Sequence, residues 1–180
     1  TLPMRKNDIT IPAQAEMLEM AKKIMMFAGS PYTPQQQAEI PAILAVKAKY
    51  FFGTDHQDTE VLMDVFTKEG FSTWWNGNPG AASPEGQCQA ALFSCPKEGP
   101  DAMVPLHFGH NQIVMFTGEK SAQLLTRMRD YHTYIDNGEC YEGYGFYVDD
   151  LVKCDDGKWR IQTLRLQYRV INGQLRCMKK

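Results

Sequence analysis

Ile40–Asp58, IPAILAVKAKYFFGTDHQD, is the stretch whose reading decides the fold. Ile40, Ile43, Leu44, Lys47 and Phe51 give it a mostly apolar stripe at helical spacing, with Tyr50 near the end. The helix is expected to break at Gly53 and to deliver Asp55 just beyond the break. A tyrosine and a carboxylate arriving together at a helix end can line the mouth of a pocket. The plainer alternative makes Tyr50 a rim aromatic and Asp55 or Asp58 the cap of the next helix.

On the N-terminal side, Thr33-Pro34-Gln35-Gln36 opens this helix with a cap residue, a proline at the first helical position and a glutamine that completes a capping box. Ala13–Phe27 predicts an earlier helix with Met17, Met20, Ile24 and Met25 at helical spacing, stopped by Gly29-Ser30-Pro31. Residues 1–12 read as a loose arm. On the C-terminal side, Asp58 or Thr59 caps a third helix, TEVLMDVF, with Val61, Leu62, Val65 and Phe66 facing inward.

After that the period changes from helical to alternating. Phe71–Trp75 predicts a short strand before an Asn76-Gly77 turn, and Ser83-Pro84-Glu85 starts a short helix to about Phe93. Four longer strands follow at Leu106–Phe116, Ser121–Ile135, Tyr141–Cys154 and Lys158–Ile171. They are separated by Thr117-Gly118, Asn137-Gly138 and Asp156-Gly157, the punctuation of an antiparallel meander. Helices first and a long sheet afterwards define an α+β order. A twisted sheet wrapped on packed helices makes a cone whose cavity suits an apolar ligand of moderate size. The expected layout is an arm and extra helix over residues 1–32 and a single domain over 33–180.

The bulk properties narrow the function. The chain has 180 residues, 43% apolar and 22% charged, with a net charge of −2, which is ordinary globular composition. Its basic residues are scattered, so nucleic acid is not an expected partner. No apolar run approaches the roughly 20 residues of a membrane helix. The N-terminus lacks the apolar core of a signal peptide. Five cysteines, Cys88, Cys95, Cys140, Cys154 and Cys177, show no C-x-x-C spacing, so neither a disulfide framework nor a zinc site is predicted. A cytoplasmic location is the expectation.

Several polar residues fall where a cavity is expected. His107 and His110 sit three apart on one strand and so point to opposite faces, which disfavours a shared metal site unless Gly109 bulges. His107 is the one expected to look inward, as a proton carrier near neutral pH. Leu124, Thr126, Met128, Asp130 and His132 share one face of the next strand. Asp130 on that face would be buried and titrate unusually; the alternative is an exposed Asp130 paired with an arginine. Strict alternation on the last strand puts Trp159, Ile161, Thr163, Arg165, Gln167 and Arg169 on one side, turning Arg165 or Arg169 toward the cavity or to a solvated edge. No serine nucleophile elbow, phosphate-binding glycine loop or dinucleotide fingerprint is present. The set suits proton transfer and elimination with no cofactor and no metal.

Lys49-Tyr50-Phe51 to Asp55 (K-Y-F-x-x-x-D), His107 to His110 (H-x-G-H) and Tyr147 to Trp159 (Y-V-D-D-L-x-K-x-D-D-G-K-W) together resemble the SnoaL-like branch of the nuclear-transport-factor-2-like (NTF2-like) cone fold. The resemblance covers about Ala42 to Ile171, and within the branch it is strongest to the bacterial bile acid 7-dehydratases. It implies Tyr50, Asp55, His107 and Asp130 as catalytic residues. An ungapped match puts the substrate-binding arginine on Tyr168, and a one-residue shift on Arg169, which is the assignment adopted. The implied activity is removal of water from a steroid or bile-acid-like 3-oxo substrate, free or as its CoA thioester. Ketosteroid double-bond isomerisation by the same pocket and a non-catalytic binding or assembly module are the alternatives. An open sheet face is expected to drive formation of a homodimer or homotrimer.

Overall fold

The structure, a computed structural model, describes residues 9–173; the start of the expected arm, Cys177 and the rest of the C-terminal tail lie outside them. In chain order the elements are β1 (Ile9–Thr10), α1 (Ala15–Phe27), α2 (Pro34–His56), α3 (Thr59–Val65), β2 (Ser72–Trp75), β3 (Asn78–Pro79), α4 (Pro84–Ser94), β4 (Met103–Gly118), β5 (Ser121–Tyr134), β6 (Cys140–Lys153) and β7 (Trp159–Gly173). The strands form one sheet in the order β3-β2-β7-β6-β5-β4, with β1 beside the far end of β7. β4 to β7 make the expected antiparallel meander. β2 joins β7 in parallel, so the sheet is mixed, because the chain between those two strands runs through α4 and the whole meander.

The helix termini follow their capping chemistry. Thr33 Oγ1 accepts from Gln36 N and Gln36 Oε1 accepts from Thr33 N, closing the capping box at the start of α2. Asp58 accepts from Val61 N at 3.0 Å and starts α3. Ser83 does the same for α4. α2 does not break at Gly53: it runs on to His56, and Asp55 lies in its last turn. The glycine is there for contact. A Cβ at position 53 would lie 2.8 Å from Leu62 Cγ, so its absence lets α3 fold back against the end of α2. The corner itself is made by Gln57, at φ 54°, directly before the Asp58 cap.

Two apolar layers hold the sheet. Ile43, Val46, Tyr50 and Phe51 of α2 and Leu62 and Val65 of α3 pack on the concave face, against Leu124, Met128, Tyr147, Leu151, Ile161 and Leu164. Met17 and Ile24 of α1 pack on the opposite face against Met115, Leu125 and Val148. Neighbours in sequence such as Leu124 and Leu125 thus serve opposite layers. α1 is therefore a cover for the outer face, and the apolar residues left exposed on the edge strand β4 include Val104, Leu106 and Phe108.

Gly53→Ala is expected to lower stability by about 1–2 kcal/mol. A helical alanine gains only about 0.5–1 kcal/mol in propensity, while forcing a methyl group into Leu62 costs about 1–3 kcal/mol. Thermal or urea unfolding checks the sign, and a stabilised variant would contradict the packing role.

Candidate active site

β7 decides what faces the cavity, and it does not alternate strictly. Its register against β6 shifts between Ile161 and Thr163 and again between Tyr168 and Val170. Each shift is a β-bulge that inserts one residue and flips the faces. Trp159 and Ile161 point inward as expected. Beyond the first bulge the inward residues are Leu164, Leu166 and Tyr168, and Arg165 turns outward to Asp150 Oδ2 at 2.7 Å. Arg169 is likewise not in the cavity: it is exposed and its Nε donates to Ile11 O at 3.2 Å. The substrate-binding role assigned to Arg169 therefore loses its geometric basis, and Tyr168 occupies the wall instead.

The chamber has a volume of about 310 Å³, at the small end of ligand pockets. Tyr50, Tyr147 and Tyr168 line it with His107 and His132, and α4 closes one wall with small side chains, among them Ala90, Ala91 and Ser94. Tyr50 is buried rather than at the rim, and its ring meets that of Tyr147 edge-on at 6.0 Å between centroids. Burial pushes all three phenols upward, so they stay protonated donors.

Three of the residues picked from the sequence meet directly. Asp55, at the end of α2, accepts from His107 N at 3.0 Å with one oxygen and holds His107 Nδ1 at 2.6 Å with the other. The His107 ring stacks parallel to Phe51 at 5.8 Å. Its Nε2 lies 3.8 Å from Asp130 Oδ2. Asp130 is fully buried, and Tyr168 OH donates to its Oδ2. Room for that carboxyl comes from Gly143 on β6, where a Cβ would overlap both Asp130 Oδ1 and the Tyr168 ring. Burial raises the Asp130 pKa, with His107 and the Tyr168 hydrogen bond opposing the shift. His110 points away from His107 on the outer face, near Arg127 and Phe146. Gly109 stays in register opposite Met128, and the bulge of β4 falls after His110.

His132, on the same inward face as Asp130, carries no assignment from the sequence. It is buried, stacks on Tyr141 at 4.4 Å and meets His107 edge-on at 5.5 Å. Burial first and His107 second push its pKa down to about 3, with Asp55 opposing. Among the described residues, His107, Asp130 and His132 are the group with metal-ligand spacing, their ligand atoms all within 4.8 Å of one another. Beneath the tyrosines a second charged layer is fully buried. Lys47 Nζ lies 2.8 Å from Asp149 Oδ2, at ion-pair distance without hydrogen-bond geometry, and 3.3 Å over the Tyr147 ring. Burial pulls Lys47 down to about 8 and pushes Asp149 up, each partner resisting the shift of the other.

Fold and site together define a small-molecule pocket protein of the α+β cone class. The chain belongs to the SnoaL-like domain family, which matches residues 35–165. α1 precedes the matched segment. Solved structures of the same fold include a protein from Novosphingobium aromaticivorans provisionally named a scytalone dehydratase, at 22% identity over 81% of this chain and 94% of that one, with a TM-score of 0.67. A hexachlorocyclohexane dehydrochlorinase from Novosphingobium barchaimii is 13% identical over 79% of this chain and 94% of that one, with a TM-score of 0.66. An NTF2-like superfamily protein from Salmonella enterica is 13% identical over 74% and 93%, with a TM-score of 0.61. A comparison with curated proteins finds no match.

The depressed pKa of His132 links folding to pH. Folded, the ring stays neutral to about pH 3; unfolded, it takes a proton below about 6.5. Between those limits the unfolded state binds the extra proton, so His132 makes stability fall as pH falls, by up to about 1.4 kcal/mol per unit. Asp130, raised, acts in the opposite sense nearest the carboxylate range. Urea midpoints at pH 7 and pH 5 should therefore separate more for the wild type than for His132→Gln; equal separations would contradict the assignment.

Proposed function

We propose that this protein is a cofactor-independent lyase that eliminates water from a cyclic 3-oxo substrate of the steroid or bile-acid type. The observation that carries the reading is the 2.6 Å contact between Asp55 and His107 Nδ1, which leaves His107 Nε2 facing a chamber walled by aromatic rings. With Nδ1–H donated to Asp55, Nε2 carries the lone pair and can remove a proton from a carbon activated by a conjugated ketone. Asp55 orients the ring and stabilises the imidazolium that forms.

The electron pair released at carbon moves to the ketone oxygen, and the protonated phenols are the donors available to that dienolate. Tyr50 is the one carried over from the family resemblance, with Tyr147 beside it; the O–H of Tyr168 is already donated to Asp130. As the dienolate collapses, the carbon–oxygen bond to the hydroxyl breaks, and a proton from neutral Asp130 completes the departing water. Asp130 is then a carboxylate 3.8 Å from the protonated Nε2 of His107, so a proton can pass back and restore both groups. The raised pKa of Asp130 supports this assignment of the acid.

The family supports the reading at the level of small-molecule chemistry, and the dehydratase and dehydrochlorinase names of two structural neighbours suggest elimination as the class. A CoA tail has lost its proposed anchor, because Arg169 lies outside the chamber. Homodimer or homotrimer formation remains part of the proposal and rests on the exposed Val104, Leu106 and Phe108 of the edge strand. A reducing, cytoplasmic location remains part of the proposal and rests on the cysteine spacing, which includes no C-x-x-C pair. None of the described helices is long and apolar enough to cross a membrane.

His107→Ala should lower turnover by about 10²–10⁴-fold with circular dichroism unchanged, since general acid–base groups contribute in that range. The assay uses a 7-hydroxylated 3-oxo-4-ene steroid and reads the product by mass spectrometry. Loss of one water supports the dehydratase. Conversion of a 3-oxo-5-ene steroid to its conjugated 4-ene isomer, read by ultraviolet absorbance, supports the isomerase, in which Tyr50 and Asp130 would serve as oxyanion donors. A fully active His107→Ala removes both.

A further inference from the structure

His132 has no task in the elimination proposed above, yet it stands at the centre of the site with bonding capacity unspent. Its Nδ1 is buried, has no hydrogen-bond partner and lies 4.0 Å from Asp130 Oδ2. Asp130 Oδ1 is also buried without a partner. Buried polar atoms are almost always bonded, so two such atoms beside each other ask for an explanation. His107 adds a third donor: with Nδ1 held by Asp55, its Nε2 is turned toward the same carboxylate.

The geometry of these three side chains is that of a cation site. Their ligand atoms all lie within 4.8 Å of one another, so a point equidistant from them is at most about 2.8 Å from each. Zinc takes nitrogen and carboxylate oxygen at about 2.0–2.2 Å, so each side chain needs to close in by at most about 0.6–0.8 Å. Two imidazoles and one carboxylate suit zinc and its transition-metal neighbours rather than magnesium or calcium, which prefer all-oxygen sets. The supports that such sites use are already in place. Asp55 holds the far nitrogen of His107, and Tyr168 OH holds the Asp130 carboxylate. Tyr141, stacked on His132, fixes that ring from the other side. Three protein ligands leave a fourth position open to the chamber.

We propose that His107, Asp130 and His132 bind one divalent cation of the zinc class, and that its binding and proton abstraction by His107 exclude each other. The exclusion is direct, because the ion and the substrate proton compete for one lone pair on His107 Nε2. This second half rests on the base role given to His107; the site itself does not. The chamber would then be held inactive by the cation and released by a chelator.

The test uses the full chain, treated with chelator and titrated calorimetrically with zinc chloride alone. One ion per chain is expected, with magnesium chloride giving no binding. His132→Gln should weaken zinc by more than about tenfold, since even the outer supports of such sites are worth 10–100-fold. Because that variant could perturb folding, cobalt(II) added to the wild type provides a second readout: visible d–d bands of a low-coordinate nitrogen and oxygen site are expected. No zinc binding, undiminished binding by His132→Gln, or cobalt showing only its aqueous spectrum overturns the site and leaves the base role of His107 untouched. In the activity assay, zinc should lower turnover in step with occupancy and EDTA should restore it. Full turnover with one zinc bound per chain overturns the exclusion and, with it, the base role of His107.

Discussion

One carboxylate ties the fold to the site. Asp55 leaves the last turn of α2 and accepts both the backbone N–H and the Nδ1 of His107, near the start of β4. Charge-assisted hydrogen bonds are stronger than neutral ones, and this pair is nearly dry, which strengthens it further. The same contact fixes the angle at which the long helix meets the edge strand and the direction in which the imidazole points. Its position is prepared upstream by the capping box at Thr33 and downstream by the corner of Gln57 and Asp58. Gly53 completes that corner by letting Leu62 press against the helix end. The orientation of a single ring thus draws on three helix termini and one close approach.

The interior is built as layers of titratable side chains separated by phenols. Asp55, His107, Asp130 and His132 form the upper layer, the three chamber tyrosines the middle, and Lys47 with Asp149 the lower. A buried ion pair seldom adds net stability, because desolvating both partners offsets their attraction. The Lys47–Asp149 pair therefore has a positional explanation rather than an energetic one. Its ammonium lies over the face of Tyr147, where cation–π attraction holds the ring, and Tyr147 in turn packs edge-on against the ring of Tyr50. Through that chain a charge outside the chamber orients a phenol inside it.

Much of this was legible from residue type and spacing. Caps and turn residues gave the element boundaries, because a Thr-Pro-x-Gln box or an Asn-Gly turn acts over three or four residues and needs no tertiary context. The inward run from Leu124 to His132 was legible for the same reason: β5 carries no bulge within it, so alternation holds. Three things were hidden. The continuation of α2 past Gly53 depends on Leu62, a residue of another helix. The faces of β7 depend on two bulges that alternation cannot anticipate, and the first of them exchanges Arg169 for Tyr168. The importance of His132 depends on burial and on neighbours from β4 and β6. The shared face with Asp130 was the signal, but a histidine on a mixed face does not announce its partners.

The second bulge of β7 has an evolutionary side. Tyr168 and Arg169 are adjacent, and the slip in register decides which of them looks inward. Moving that slip by one position, through a single inserted or deleted residue, would exchange a neutral phenol for a guanidinium in the chamber wall while keeping the strand and its neighbours. The wall would change from a neutral hydroxyl to a fixed positive charge. The lining of the chamber can therefore be rewritten by sliding a strand, with Tyr168 and Arg169 themselves unchanged.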